Sequence, residues 1–226
     1  MAKSKSKSGK STAASQPQPA PRLYLFAPQT TEADDAAALL AAALGAGDVA
    51  AVLMAPAAAD ERGAINAAKA LAAVVQQAGA AFLLKDRPEL VARAGADGAH
   101  LTGLDIFTRH APALRPDRIA GCGGLTTRHD AMSAAEAEAD YVMFGEPDSA
   151  AGTPALDTVM ERVAWWAEVF ETPCVAYAAR LGDIAPLVAA GADFIALGDA
   201  IWSDARGPAA AIAEAMIYLV RETVPA

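Results

Sequence analysis

ARAGADGAHL, residues 92–101, reads as a helix end, a glycine, an aspartate and then an apolar run. The phrase returns as LGAGDVAAVLM (44–54), VAAGADFIALG (188–198) and, without the glycine before its aspartate, AEAEADYVMFG (135–145). Its aspartates, Asp48, Asp97, Asp140 and Asp193, stand 49, 43 and 53 residues apart. A glycine that closes a helix takes the left-handed conformation other residues resist, and the apolar run behind it is a buried strand. About 45 to 50 residues accommodate two βα units, so the phrase marks every second strand.

The strands between follow from the remaining apolar runs. The expected strands are 23–28, 48–55, 80–85, 97–102, 118–122, 140–145, 173–178 and 193–198. Apolar residues at three- and four-residue spacing predict helices over 61–78, 155–170 and 208–222, with a weaker, shorter one over 105–114. Eight strands alternating with helices make a (β/α)8 barrel. The alternative is an open doubly wound sheet, but no GxGxxG fingerprint follows the first strand.

Composition limits the function. Hydrophobic residues make up 54% of 226, enough for one domain with a well-buried core. No apolar run approaches the roughly 18 to 20 residues that span a bilayer. The net charge of −9 is unevenly spread: residues 1–22 carry five cations and no acid, which leaves the other 204 residues at −14. Such a domain repels a nucleic-acid backbone, so neither nucleic acid nor membrane is an expected partner. The Ser/Lys- and Pro/Gln-rich residues 1–22 read as a disordered tail, with the barrel domain over 23–226. SGKST (8–12) lacks the leading glycine of a phosphate-binding P-loop, having Ser4 in its place. Cys122 and Cys174 lie in apolar runs and read as free thiols of a cytoplasmic protein.

In such a barrel the site lies at the C-terminal ends of the strands. Lys85 and Asp86 end strand three, and Asp105 follows strand four. Adjacent strands run about 5 Å apart, so the two carboxylates can share an ion, and carboxylates plus substrate phosphate suit Mg²⁺. Helix capping by Asp86 and Asp105 explains the same residues without a metal. Trp165 and Trp166 cannot both face the core on a 3.6-residue period; the outward one is a candidate contact in a homo-oligomer.

FLLKDRPELVARAGADGAHLTGLD, residues 82–105, resembles the "NDR…DLA…GADGVHLGQ.D" segment of thiamine phosphate synthases and their thiazole tautomerase relatives. AGDVAAVLM, ADYVMFG and AGADFIALGDAI match the same family in order, so the resemblance covers about residues 23–222. It implies a TIM barrel that couples hydroxymethylpyrimidine pyrophosphate to thiazole phosphate with Mg²⁺, releasing pyrophosphate. It also implies Asp86 and Asp105 as metal ligands and His100 as the strand-four histidine, read here as structural.

Other positions depart from the family pattern. Where the family has "QLRxK", VLMAP (52–56) puts Met54 and Pro56 at the cationic positions. Lys85 replaces an asparagine, and Gly124–Thr126 (GLT) replaces "S.H". GEPDSAAGTPALD (145–157) has no lysine and adds Glu146 and Asp148. In the phosphate region, made up of Lys85, Ala178, Ala179, Arg180, Gly198 and Asp199, Ala178-Ala179 stands for a glycine pair and Asp199 for a serine. A carboxylate about 5 Å from a phosphate oxygen costs roughly 3 kcal/mol at an effective dielectric near 20. Arg180 and Arg206 are the expected compensating cations. The expectation is a thiamine phosphate synthase-family barrel with several catalytic and phosphate-binding positions lost. The alternative is a non-catalytic or divergent barrel that binds a less anionic small molecule.

Overall fold

The computed structural model describes residues 19–29, 33–56, 61–147, 152 and 154–219. Eight parallel strands close into one barrel in chain order: β1 (Arg22–Phe26), β2 (Val49–Met54), β3 (Ala81–Lys85), β4 (Gly98–Thr102), β5 (Ile119–Gly123), β6 (Tyr141–Phe144), β7 (Cys174–Tyr177) and β8 (Phe194–Leu197). Closure excludes the open-sheet alternative. The helices that carry the argument are α1 (Ala33–Leu44), α2 (Glu61–Gln77), α3 (Val91–Ala94), α4 (Leu104–His110), α5 (Arg128–Glu136), α6 (Leu156–Val169), α7 (Ile184–Ala189), α8 (Asp199–Trp202) and α9 (Pro208–Tyr218).

The expected strands match within one or two residues at each end. The weak 105–114 segment splits into α4 and a single 3₁₀ turn at Ala111–Ala113. Arg22, assigned to the tail from sequence, opens β1 instead, because its guanidinium clasps Asp48 at 2.7 Å. The tail before residue 19 and the end of the expected 208–222 helix lie outside the described residues.

The recurring aspartates have a structural job. Asp97 accepts the Phe82 N–H at 2.7 Å, Asp140 the Ala120 N–H at 2.7 Å, and Asp193 the Cys174 N–H at 2.9 Å. Each aspartate just before an even strand therefore ties down the start of the preceding odd strand. Asp48 does this for β1 through the Arg22 side chain. A carboxylate accepting a backbone N–H makes a charge-assisted bond, stronger than a neutral one.

Strand alternation sorts the apolar side chains into two layers. Leu23 and Leu25 of β1 join the shell beneath the helices, while Tyr24 and Phe26 point into the barrel. The interior layer also holds Leu53, Leu83, Tyr141, Met143, Val175 and Ala196. Gly121 makes room for Tyr141: a Cβ there would stand 2.0 Å from the ring.

The tryptophan pair divides as expected. Trp166 is buried, stacks on Phe170 at 4.1 Å and donates its indole N–H to the Thr172 carbonyl. Trp165 is half-buried, lies edge-on to Phe170 and has the Arg128 guanidinium 4.9 Å from its ring centre. Cys122 and Cys174 are buried free thiols. Among the described residues, no helix is long and apolar enough to cross a membrane.

Candidate active site

The C-terminal ends of β3 and β4 hold the two candidate metal ligands. Lys85 ends β3 in register with His100 of β4. The next residue turns sharply: Asp86 has φ +52°, a left-handed conformation that a non-glycine residue takes only when its surroundings hold it. Two bonds do so. The Asp86 N–H donates to the His100 carbonyl at 2.9 Å, and its Oδ1 accepts the Thr102 N–H at 2.7 Å. Asp86 is thus a strand-end clasp and not a helix cap. Asp105 does not cap either: Gly103, with φ +98°, occupies the N-cap of α4, and Asp105 lies exposed in its first turn.

These carboxylates suit Mg²⁺ as far as their chemistry goes. Asp86 commits one oxygen to Thr102 and keeps the other, and Asp105 is exposed. No group of three or more metal-binding side chains exists among the described residues. An ion here would take the rest of its shell from water and substrate oxygens, which is how Mg²⁺ is usually held.

A buried polar chain crosses the barrel interior. Tyr24 Oη lies 2.9 Å from Tyr141 Oη, which lies 2.9 Å from His100 Nδ1; His100 Nε2 lies 2.7 Å from Glu146 Oε1. The Gly124 N–H donates to the other Glu146 oxygen. An ionised carboxylate only accepts, so His100 donates from Nε2. Running the chain from Tyr24 to Tyr141 to His100 then gives every hydroxyl proton an acceptor; the reverse leaves the Tyr24 proton with none among the described residues. Gly123 makes the meeting possible: a Cβ there would stand 2.0 Å from Glu146 Oε2 and 2.5 Å from His100 Nε2.

Burial by itself would push the Glu146 carboxyl up. His100, the Gly124 N–H and the more distant charge of Lys85 outweigh it and hold the group below the ordinary glutamate value. Burial raises both tyrosines well above their usual range, and pushes the Cys122 thiol up to about 12. The charge of Lys85 acts on Glu146, an acid that sequence reasoning treated only as surplus negative charge. Asp148 lies outside the described residues.

Above Glu146 lies a cavity of 200 Å³, bounded by the turns after β5 and β6 and by Arg162 of α6. Arg162 donates to the Leu125 and Thr126 carbonyls at 3.1 and 2.9 Å. Sequence reasoning missed Arg162. The available signal was its place in the first half of a helix that follows a strand end.

In the expected phosphate region, Ala179, Arg180 and Asp199 are exposed, while Ala178 and Gly198 are buried. The Ala178 N–H is spent on the Ala196 carbonyl and the Arg180 N–H on Asp183. The compensating cations are engaged elsewhere: Arg180 pairs with Asp183 at 3.3 Å, and Arg206 pairs with Asp204 at 2.6 Å and Glu214 at 2.7 Å. Hydrogen bonds from Arg206 hold Asp204 at about 2. Gly198 caps α8, and Asp199 is exposed in its first turn. Met54 ends β2 half-buried, with Pro56 just beyond.

The thiamine monophosphate synthase family profile matches residues 23–201. A thiamine-phosphate synthase of Rhodospirillum centenum is 41% identical over 196 residues, 85% of this chain and 95% of that one. One from Hyphomonas neptunium is 37% identical over 89% of this chain and 95% of its own. Among solved structures, the thiamine phosphate pyrophosphorylase of Pyrococcus furiosus shares the fold with TM-score 0.73 and 21% identity, over 88% of this chain and 95% of that one. With its closed barrel, the matching profile and these relatives, the chain belongs to the thiamine monophosphate synthase family.

Proposed function

We propose that the protein is a transferase that joins hydroxymethylpyrimidine pyrophosphate to a thiazole phosphate. The carrying observation is that Asp86 follows β3 and Asp105 opens the helix after the adjacent β4, with Asp86 locked by the Thr102 N–H in a conformation it would not otherwise take. Relatives named thiamine-phosphate synthase, matched over nearly their whole length, support the reading.

In the reaction, the thiazole nitrogen lone pair forms a bond to the pyrimidine methylene carbon. The carbon–oxygen bond to pyrophosphate breaks, its electron pair leaves on pyrophosphate, and the thiazole becomes a cationic thiazolium. Asp86 and Asp105 would hold Mg²⁺, which screens the pyrophosphate charge. Stabilising that leaving group calls for preorganised positive charge, and Lys85, next to Asp86, is one candidate for it. Mg²⁺ dependence, small-molecule substrates and a cytoplasmic location go with this reading.

A second reading is a barrel that binds a less anionic molecule without this chemistry. Met54 and Pro56 at the end of β2, and the carboxylate pairing of Arg180 and Arg206, favour it. Incubation with both phosphorylated precursors and Mg²⁺ separates the two. Coupling predicts release of thiamine phosphate and pyrophosphate in equal amounts; substrate recovered unchanged supports the second.

A further inference from the structure

A second cavity, of 280 Å³, opens at the other end of the barrel, where the strands begin. Arg22, Ala81, Ile119 and Phe194 are the first residues of β1, β3, β5 and β8, and Asp140 directly precedes β6. Barrel interiors of this kind are normally filled by layers of branched side chains. Here β2 and β3 present Ala51 and Ala81 to the interior, and the room they leave is walled by the rings of Tyr24, Tyr141 and Phe194. Tyr24 and Tyr141 are buried and meet edge to face at 5.8 Å. The two charged side chains that line the cavity differ in their partners. Arg22 clasps Asp48 through hydrogen bonds of 2.8 and 2.7 Å, so its charge is neutralised. Asp140 is exposed, spends Oδ2 on the Ala120 N–H at 2.7 Å, and has no cation partner among the described residues.

An aromatic wall with one uncompensated carboxylate at its rim complements a planar ring that carries a positive charge. We propose that this mouth binds a small aromatic cation, its ring against Tyr24, Tyr141 and Phe194 and its charged group on Asp140. Size narrows the class. A dry cavity of about 150 Å³ takes benzene, so 280 Å³ takes one ring with a short cationic arm. Charge narrows it further. An anion would face Asp140 while Arg22 stays committed to Asp48, so phosphorylated molecules are poor occupants. The site lies at the end of the barrel opposite Asp86 and Asp105, and it does not depend on the coupling reading.

The test is an NMR titration of the full chain with benzylammonium and with benzyl alcohol, which share ring and size and differ in charge. The wild-type protein should bind the cation about fivefold more tightly than the alcohol, the size of one solvent-exposed charge pair. Asp140→Asn keeps an oxygen for the Ala120 N–H and should bring the two affinities level. Ala81→Leu fills the cavity and should take the binding of both probes below detection. Should Ala81→Leu fail to fold, the wild-type preference and Asp140→Asn still decide. Equal wild-type affinities, a preference that survives Asp140→Asn, or a folded Ala81→Leu protein that binds both probes like wild type overturns the proposal. So does a wild-type protein that binds neither probe, the result expected if a second copy of the chain covers this mouth.

Discussion

His100 Nε2 and Glu146 Oε1 meet at 2.7 Å inside the barrel, although 46 residues separate them in the chain. Both side chains are almost wholly covered. Removing one partner of such a pair leaves the other buried and unsatisfied. Glu146→Ala should therefore destabilise the fold by about 3 kcal/mol or more, read from chemical denaturation. Glu146→Gln, which can still accept from His100, should lose less.

The same pair gives stability a direction in pH. The folded-state value of Glu146 lies below its unfolded value, so its ionised form stabilises the barrel. That contribution is complete above the unfolded glutamate value of about 4.3 and is lost as pH falls through the lower folded value. Melting curves between about pH 6 and pH 3 should show the wild type losing more stability than Glu146→Gln. Parallel losses in the two proteins would contradict the assignment.

Gly123 should not tolerate a side chain. A Cβ would stand within 2.0 Å of Glu146 Oε2 and 2.5 Å of His100 Nε2, and both atoms are locked by their own hydrogen bonds. Gly123→Ala should cost about 2 kcal/mol or more and break the buried chain. A melting temperature within a degree or so of wild type would show that the pair can give way.

Trp166 and Trp165 offer a paired comparison on one helix. Trp166 is 1% exposed and hydrogen-bonded to Thr172, so Trp166→Ala should cost about 3 to 5 kcal/mol. Trp165 is half-buried under Arg128, and Trp165→Ala should cost about 1 kcal/mol. Denaturant titrations of both variants check the ratio.

The fold was legible because its signal is local and repeated. The phrase around Asp48, Asp97, Asp140 and Asp193 marks four strands, and each aspartate has the same neighbour to hold. Asp86 and Asp105 were also legible, since strand ends can be counted along the chain. The reading of both as helix caps did not hold, because Asp86 bonds the next strand and Gly103 takes the cap position. Arg180 and Arg206 read from the sequence as compensating cations; in the structure Arg180 pairs with Asp183, and Arg206 with Asp204 and Glu214. The chain from Tyr24 to Glu146 was not legible. Its first link spans 117 residues, and only closure of the barrel brings β1 across to β6. Strand alternation does place Tyr24, His100 and Tyr141 inward, which was the available hint. Arg162 was hidden because nothing in a helix's own pattern says which loop its side chain will reach.

The Asp86 turn yields a further prediction. Asparagine tolerates a left-handed backbone and can still accept the Thr102 N–H. Asp86→Asn should therefore melt close to wild type while raising the Mg²⁺ concentration needed for half-maximal activity by about tenfold, as expected when a hard cation loses a charged oxygen ligand. Asp86→Ala should lose both, with a stability cost of about 1 to 3 kcal/mol. An Asn variant with unchanged Mg²⁺ dependence would remove Asp86 from the metal site.

The most direct measurement is coupling itself. Purified full-length protein is mixed with hydroxymethylpyrimidine pyrophosphate, thiazole phosphate and Mg²⁺, and thiamine phosphate and pyrophosphate are quantified together. The prediction is both products in equal amounts, abolished by chelating the metal and strongly reduced in Asp86→Ala. No thiamine phosphate from protein that binds both precursors would contradict the assignment and leave a barrel that binds without coupling.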